Sequence, residues 1–199
     1  MSSPSLLKEL VEALCCLPGV GKKSAQRMAY YLLDKDRQGG LFLSSTLQQA
    51  MQDIGNCLRC RDYTEAEQCE ICKNTRRDES LLCVVESPSD VLAIESTANF
   101  HGKYFVLLGQ LSPLDGIGPN EIGMSLLKDR LSEGVISEII VATSSTIEGE
   151  ATAHFIAQMA QKINNVQVSR LAQGVPVGGE LEYLDQSTLS LSLANRKII

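Results

Sequence analysis

No apolar run in this chain approaches the ~18 to 20 residues that a helix needs to cross a bilayer, so no membrane span is expected. The start, Met1-Ser2-Ser3-Pro4, has neither the basic opening nor the apolar stretch of a secretory signal, and the protein is expected to stay in the cytoplasm where it is made. Repeats of fixed period and low-complexity tracts are missing as well. That leaves an ordinary soluble class, in which 199 residues with 44% hydrophobic and 21% charged side chains can bury a sizeable core as one domain or two small ones. Positive charge is also short. A net charge of −6 argues against a protein that coats DNA generally, because phosphate binding needs a local positive field.

The average conceals an asymmetry. Residues 1–40 carry six basic side chains (Lys8, Lys22, Lys23, Arg27, Lys35, Arg37) against four acidic ones, leaving 12 basic and 20 acidic in the remainder. A mildly basic head therefore precedes an acidic body. In that head, Leu6, Leu7, Leu10, Val11 and Leu14 recur at helical spacing after a Ser3-Pro4 start, and the helix is expected to end near Leu17. Pro18-Gly19-Val20-Gly21 breaks the pattern. Ala25, Met28, Ala29 and Leu32 resume it up to a second expected break at Gly39-Gly40, and Leu47, Ala50, Met51 and Ile54 suggest a third helix.

From residue 81 the text changes character. Short apolar runs at 81–85, 104–108, 139–142 and 166–168 alternate with helical stretches near 88–97, 120–134 and 149–163, the signature of βαβ units around a parallel sheet. Segments 109–119 and 173–179 read as loops.

Between these parts lie Cys57-x2-Cys60 and, eight residues on, Cys69-x2-Cys72. Each pair can form a tight knuckle, and four thiolates in tetrahedral array are what a structural zinc site requires. A closed site leaves no position for water, so the metal is assigned no catalysis. Disulfides or free thiols are the competing readings, disfavoured by a reducing compartment and by the regular spacing. Cys83 falls in an apolar strand and reads as core, Cys15 and Cys16 as helix-end packing; His101 and His154 are isolated, with core or surface roles as the default.

Leu17-Pro18-Gly19-Val20-Gly21-Lys22-Lys23-Ser24 invites comparison with the phosphate loop of an ATPase. It fails that test twice, lacking Gly at Cys16 and Ser or Thr at Lys23, and following a helix where the motif demands a strand. It fits a helix-hairpin-helix, in which Gly19 and Gly21 allow a tight turn and the first amides of the second helix can hold a phosphate, beside Lys22, Lys23 and Arg27. Such contacts position nucleic acid without reading its sequence. A plain αα-hairpin turn is the alternative; the basic cluster favours DNA.

Taken in order, these features resemble the RecR family over essentially the whole chain. The strings that carry the likeness include Gly19-Val20-Gly21-Lys22-Lys23-Ser24-Ala25-Gln26-Arg27, Val84-Val85-Glu86-Ser87-Pro88-Ser89-Asp90, Leu111-Ser112-Pro113-Leu114-Asp115-Gly116, Glu148-Gly149-Glu150-Ala151-Thr152 and Pro176-Val177-Gly178-Gly179-Glu180-Leu181. The resemblance implies an α/β chain in four parts: a helix-hairpin-helix region over 1–54, a zinc module over 55–77, a Toprim-like domain with a mostly parallel sheet over 78–173, and a C-terminal segment over 174–199 that serves oligomer contact. It also implies a ring-like oligomer, tetrameric in the simplest case, associated with the nucleoid, binding single- and double-stranded DNA and acting with RecO, and in many bacteria RecF, to load RecA at single-stranded gaps. Two departures stand out. Cys15 and Cys16 take places where relatives often carry basic residues, and Ser144-Ser145 replaces an expected Asn-Pro.

Toprim enzymes hold Mg²⁺ with a Glu on the first strand and an Asp-x-Asp pair on a later one, since a hard cation wants carboxylate oxygens. Glu86 fits the first position, but the Asp positions fall on Ser144 and Thr146, and no tyrosine or Ser-His-Asp constellation takes over. The chain is therefore expected to be no enzyme; a Toprim nuclease or primase is the alternative, an RNA-binding or purely structural scaffold a third. Glu86, Asp90, Glu148 and Glu150 are expected to form an acidic docking face for a basic partner such as RecO, against the reading that they are solvated helix ends and caps.

Overall fold

The computed structural model describes residues 5–163, 166–172, 174–194 and 196; the expected helix start at Ser3-Pro4, and Gln173, lie outside them. The chain divides into two compact units, Met1–Ile54 and Gly55–Ile199.

The first unit is helical. Helix α1, Leu6–Leu14, is followed by α2, Lys22–Asp34, and α3, Arg37–Asp53. Helix α2 packs on both neighbours, and Ala25 and Ala29, one turn apart, are completely buried. Helix α1 stops at Leu14, a turn earlier than expected, and α2 stops at Asp34 rather than at Gly39-Gly40. The two glycines instead lie inside the first turns of α3. Asp36 is the cause: as N-cap its carboxylate accepts from the Gly39 backbone N–H at 2.8 Å, and a Cβ at Gly39 would sit 2.1 Å from that carboxylate. The glycine makes room for a cap and does not break the helix.

The second unit opens with a small antiparallel hairpin, β1 Gly55–Asn56 and β2 Tyr63–Thr64, and a short helix α4, Glu70–Lys73. There follow β3 Asp78–Val85, α5 Pro88–Glu95, β4 Gly102–Val106, α6 Met124–Ser132, β5 Glu138–Ala142, α7 Ile147–Gln161, β6 Gln167–Arg170, a 3-10 turn Leu181–Tyr183, and α8 Gln186–Ala194. The four long strands form one parallel sheet in the order β4-β3-β5-β6. Both faces are covered over β3 and β4, which is why these strands read as apolar runs and not as alternation, whereas β5 alternates buried and half-buried residues and β6, at the edge, has none fully buried. Leu82, Val84, Phe105, Ile139 and Val141 point to one side, against Leu127 and Leu131 of α6 and Ile156 of α7. Cys83, Val85, Tyr104 and Val106 face the other side, with Val91 of α5. Cys83 is thus a core residue, and burial pushes its thiol up to about 12.

Strand order also locates a crevice. The chain leaves β3 through α5 toward β4 and leaves β5 through α7 toward β6, in opposite directions from two adjacent strands. In parallel sheets, the space beyond the carboxyl ends of such a pair is where ligands bind. Val85 pairs with Ala142, so Glu86 and Thr143 are the first residues past that edge.

Candidate functional site

Three groups of residues singled out in the sequence become geometric objects. The first is the hairpin between α1 and α2. Gly19 has φ +78°, a left-handed conformation that side chains with a Cβ adopt at a cost, and the Val20 N–H closes the turn onto the Leu17 carbonyl at 3.1 Å. Gly21 is the N-cap of α2 and offers no side chain to the amides that follow. Lys22, Lys23 and Arg27 are exposed, and among the described residues none makes an ion pair. Lys23 and Arg27 stand one turn apart on the same helix face. An uncapped helix start beside three unneutralised cations can accept a phosphate. Cys15 is half-buried at the end of α1 and Cys16 exposed.

The second object is the cysteine cluster. The sulfurs of Cys57, Cys60, Cys69 and Cys72 all lie within 4.8 Å of one another, with Cys60 and Cys69 3.5 Å apart. A disulfide needs ~2.05 Å between sulfurs, whereas tetrahedral thiolates at ~2.3 Å from a shared ion stand ~3.8 Å apart. The spacing fits a shared ion. Among the described residues this is also the one group of three or more Cys, His, Asp or Glu side chains close enough to hold a metal. The Cys69 N–H donates to the Cys57 sulfur at 3.3 Å.

The cluster is pinned to the sheet. Edge strand β4 donates its Val106 N–H to the Cys60 carbonyl at 2.8 Å, so the first knuckle continues the hydrogen bonding that the edge would otherwise leave open. Arg59 forms a two-pronged pair with Glu133 at 2.6 and 2.8 Å, which raises the pKa of the guanidinium. Arg61 reaches the carbonyls of Leu107 at 2.9 Å and Ile122 at 2.6 Å and lies 5.8 Å from the centre of the Phe105 ring. Two further cations, Lys103 and Arg130, are almost fully buried beside the knuckles. The sequence reading passed over both, although helical spacing sets Arg130 on the buried face of α6 with Leu127 and Leu131.

The third object is the crevice beyond β3 and β5. One oxygen of Glu86 accepts from the Ser144 N–H at 3.0 Å and the Ser144 hydroxyl at 3.1 Å. The Ser144 hydroxyl also lies 2.7 Å from that of Thr146 and 3.4 Å from the Gln110 side-chain oxygen. Thr146 caps α7 by accepting from the Gly149 N–H at 3.1 Å. The structure therefore brings Glu86, Ser144, Thr146 and Gln110 together. The other acidic residues have separate engagements. Asp90 closes a capping box with Ser87, accepting from its N–H and its hydroxyl at 2.8 Å each. Glu150 pairs with Arg170. Glu148 is half-buried in the first turn of α7. Among the described residues the crevice carboxylates make no three-member group that could share an ion. His101 and His154 are exposed, the latter 2.8 Å from Gln158.

Comparison with known families agrees with this anatomy. A model of the RecR helix-hairpin-helix matches residues 7–51, a model of the Toprim domain matches 80–172, and a model of the RecR C-terminal region matches 174–197. The first holds the hairpin, the second the sheet with its crevice, and the interval between them the four cysteines. With these domains in this order, the chain belongs to the RecR family and has a role in recombinational DNA repair.

Proposed function

We propose that this protein is a non-catalytic, DNA-binding clamp or mediator that works with RecO, and where present RecF, to help load RecA at single-stranded gaps. The observation that carries the reading is the pair Ser144 and Thr146. Where a metal-dependent Toprim enzyme needs two aspartates, these residues offer neutral hydroxyls bonded to each other, with that of Ser144 also bonded to Glu86. Hydroxyls are poor replacements for charged ligands of Mg²⁺, so the crevice lacks the charge to hold a catalytic ion pair.

DNA is assigned to the hairpin, with Gly19 and Gly21 shaping the turn, backbone amides at the start of α2 meeting a phosphate, and Lys22, Lys23 and Arg27 adding charge. Three basic side chains per chain give weak binding, so several chains must act together, as in a tetrameric ring. Exposed apolar side chains of the first unit, among them Leu6, Phe42 and Met51, support self-association. The ion assigned to the four cysteines is zinc, one per chain, whose bound presence supplies folding energy to a segment with few large apolar residues. Glu86, Asp90, Glu148 and Glu150 are assigned to docking of a basic partner such as RecO, in a protein that works in the cytoplasm on nucleoid DNA.

The test is incubation of the full protein with single-stranded, gapped and supercoiled DNA in Mg²⁺ or Mn²⁺. We expect no cleavage, relaxation or primer synthesis, and stimulation of RecA loading only when RecO is added. A metal-dependent reaction abolished by Glu86→Ala would establish the enzyme instead.

A further inference from the structure

Buried lysine and arginine side chains are rare unless paired, because an isolated charge loses its hydration. Lys103 is 4% exposed and Arg130 7% exposed, yet among the described residues neither forms a salt bridge. Their partners are carbonyls. The Lys103 ammonium donates to Ile71 at 3.1 Å, Cys72 at 2.9 Å and Asn74 at 2.8 Å, all in or just after the second cysteine knuckle. Arg130 donates to the carbonyl of Arg59, inside the first knuckle, at 3.0 Å, and to that of Tyr104 at 2.7 Å. Its buried Nε has no partner. Both cations line a cavity of about 210 Å³ whose wall includes Cys72. The remaining cation there, Arg59, is already neutralised by Glu133.

We propose that Lys103 and Arg130 are the counter-cations of the metal–thiolate cluster, each fastening the backbone of one cysteine knuckle while together they balance its charge. The inference rests on the assignment of a divalent ion to the four cysteines. Four thiolates around one such ion carry two net negative charges, and the two buried cations carry two positive ones. Glu79 and Glu133 line the same cavity, but neither comes within ion-pair distance of Lys103 or Arg130, and Glu133 is engaged by Arg59. Each kind of charge therefore answers the other's desolvation: without the cluster the cations have no carboxylate in direct contact, and without the cations a dianion is buried beside the sheet. Lys103 is on β4 and Arg130 on α6, so the same contacts make metal binding and docking of the knuckles onto the sheet one event.

The test is zinc affinity of the full-length protein, measured by competition with a chromophoric chelator, for the wild type and for Lys103→Met, Arg130→Met and Lys103→Arg. Loss of either positive charge should weaken zinc binding on the order of tenfold or more, while Lys103→Arg stays close to the wild type. Methionine variants with a lowered melting temperature but unchanged zinc affinity would overturn the proposal and leave the two residues as carbonyl caps. So would a wild type that is stabilised by inorganic phosphate, if that response disappears in the methionine variants while zinc affinity stays the same; the cavity would then be a free-anion site. Failure of the wild type to bind zinc at all would instead sink the metal assignment itself. Should the methionine variants not fold, Val135, half exposed at the cavity wall, gives a gentler probe. Val135→Glu offers the cations a competing carboxylate and should weaken zinc binding several-fold relative to Val135→Gln; equal affinities would overturn the proposal.

Discussion

Ser144 donates twice to a single oxygen of Glu86, from its backbone N–H at 3.0 Å and from its hydroxyl at 3.1 Å. A carboxylate at position 144 would lose the hydroxyl donor and stand beside Glu86 with like charge. The Ser144→Asp variant is therefore expected to lose ~1–2 kcal/mol in the presence of a chelator, and to regain stability in Mg²⁺, which two adjacent carboxylates can share. Thermal unfolding with and without Mg²⁺ reads both effects. A variant indifferent to chelator and to Mg²⁺ would show that this side of the crevice is not arranged around Glu86 as described.

Glu95 gives a pH dependence. Burial alone would raise its pKa, but hydrogen bonds from Arg77 at 2.9 Å and Tyr104 at 2.6 Å outweigh this and hold it below its ordinary 4.5. A carboxylate with a depressed folded pKa contributes stability that is fully present above the unfolded value and is lost as pH falls through the folded one. Arg77→Met leaves burial less opposed. Its acid unfolding midpoint should move to higher pH, with ~1–2 kcal/mol lost at neutral pH, and a pH titration of unfolding with an unshifted midpoint would count against the network.

Metal removal is the third test. The full protein should carry close to one zinc per chain, and Cys57→Ser or Cys72→Ser should release it and destabilise at least residues 55–73, which metal analysis and hydrogen exchange would follow. Less than about half an equivalent in folded protein, with no response to chelator, would end the structural role assigned to the cluster.

What the sequence made legible follows from which interactions are local. Cysteine spacing gave the cluster because two residues between thiols fix a knuckle whatever surrounds it, and the apolar runs gave β3 and β4 because strands buried on both faces have no polar side to hide them. Gly39-Gly40 reads as a break in the sequence, yet Asp36 caps α3 across those glycines. Ser87 and Asp90 stand at capping-box spacing, a signal for the local bond that the structure gives Asp90. Helical spacing puts Arg130 on the buried face of α6, but the partners of Lys103 and Arg130 are not legible from pattern, being carbonyls of another segment more than twenty or more than seventy residues away.

This acidic protein is proposed to meet DNA through its basic hairpin, without sequence preference. The most direct measurement is equilibrium binding of labelled single- and double-stranded DNA across a salt series, for the wild type and for Lys23→Ala with Arg27→Ala. Each lost phosphate contact should flatten the slope of log K against log salt by about 0.9 on duplex and about 0.7 on single strands. The double variant should bind every sequence more weakly by the same factor, with zinc content and oligomeric mass unchanged. Unchanged affinity and slope would make the hairpin an ordinary structural turn and would contradict the account.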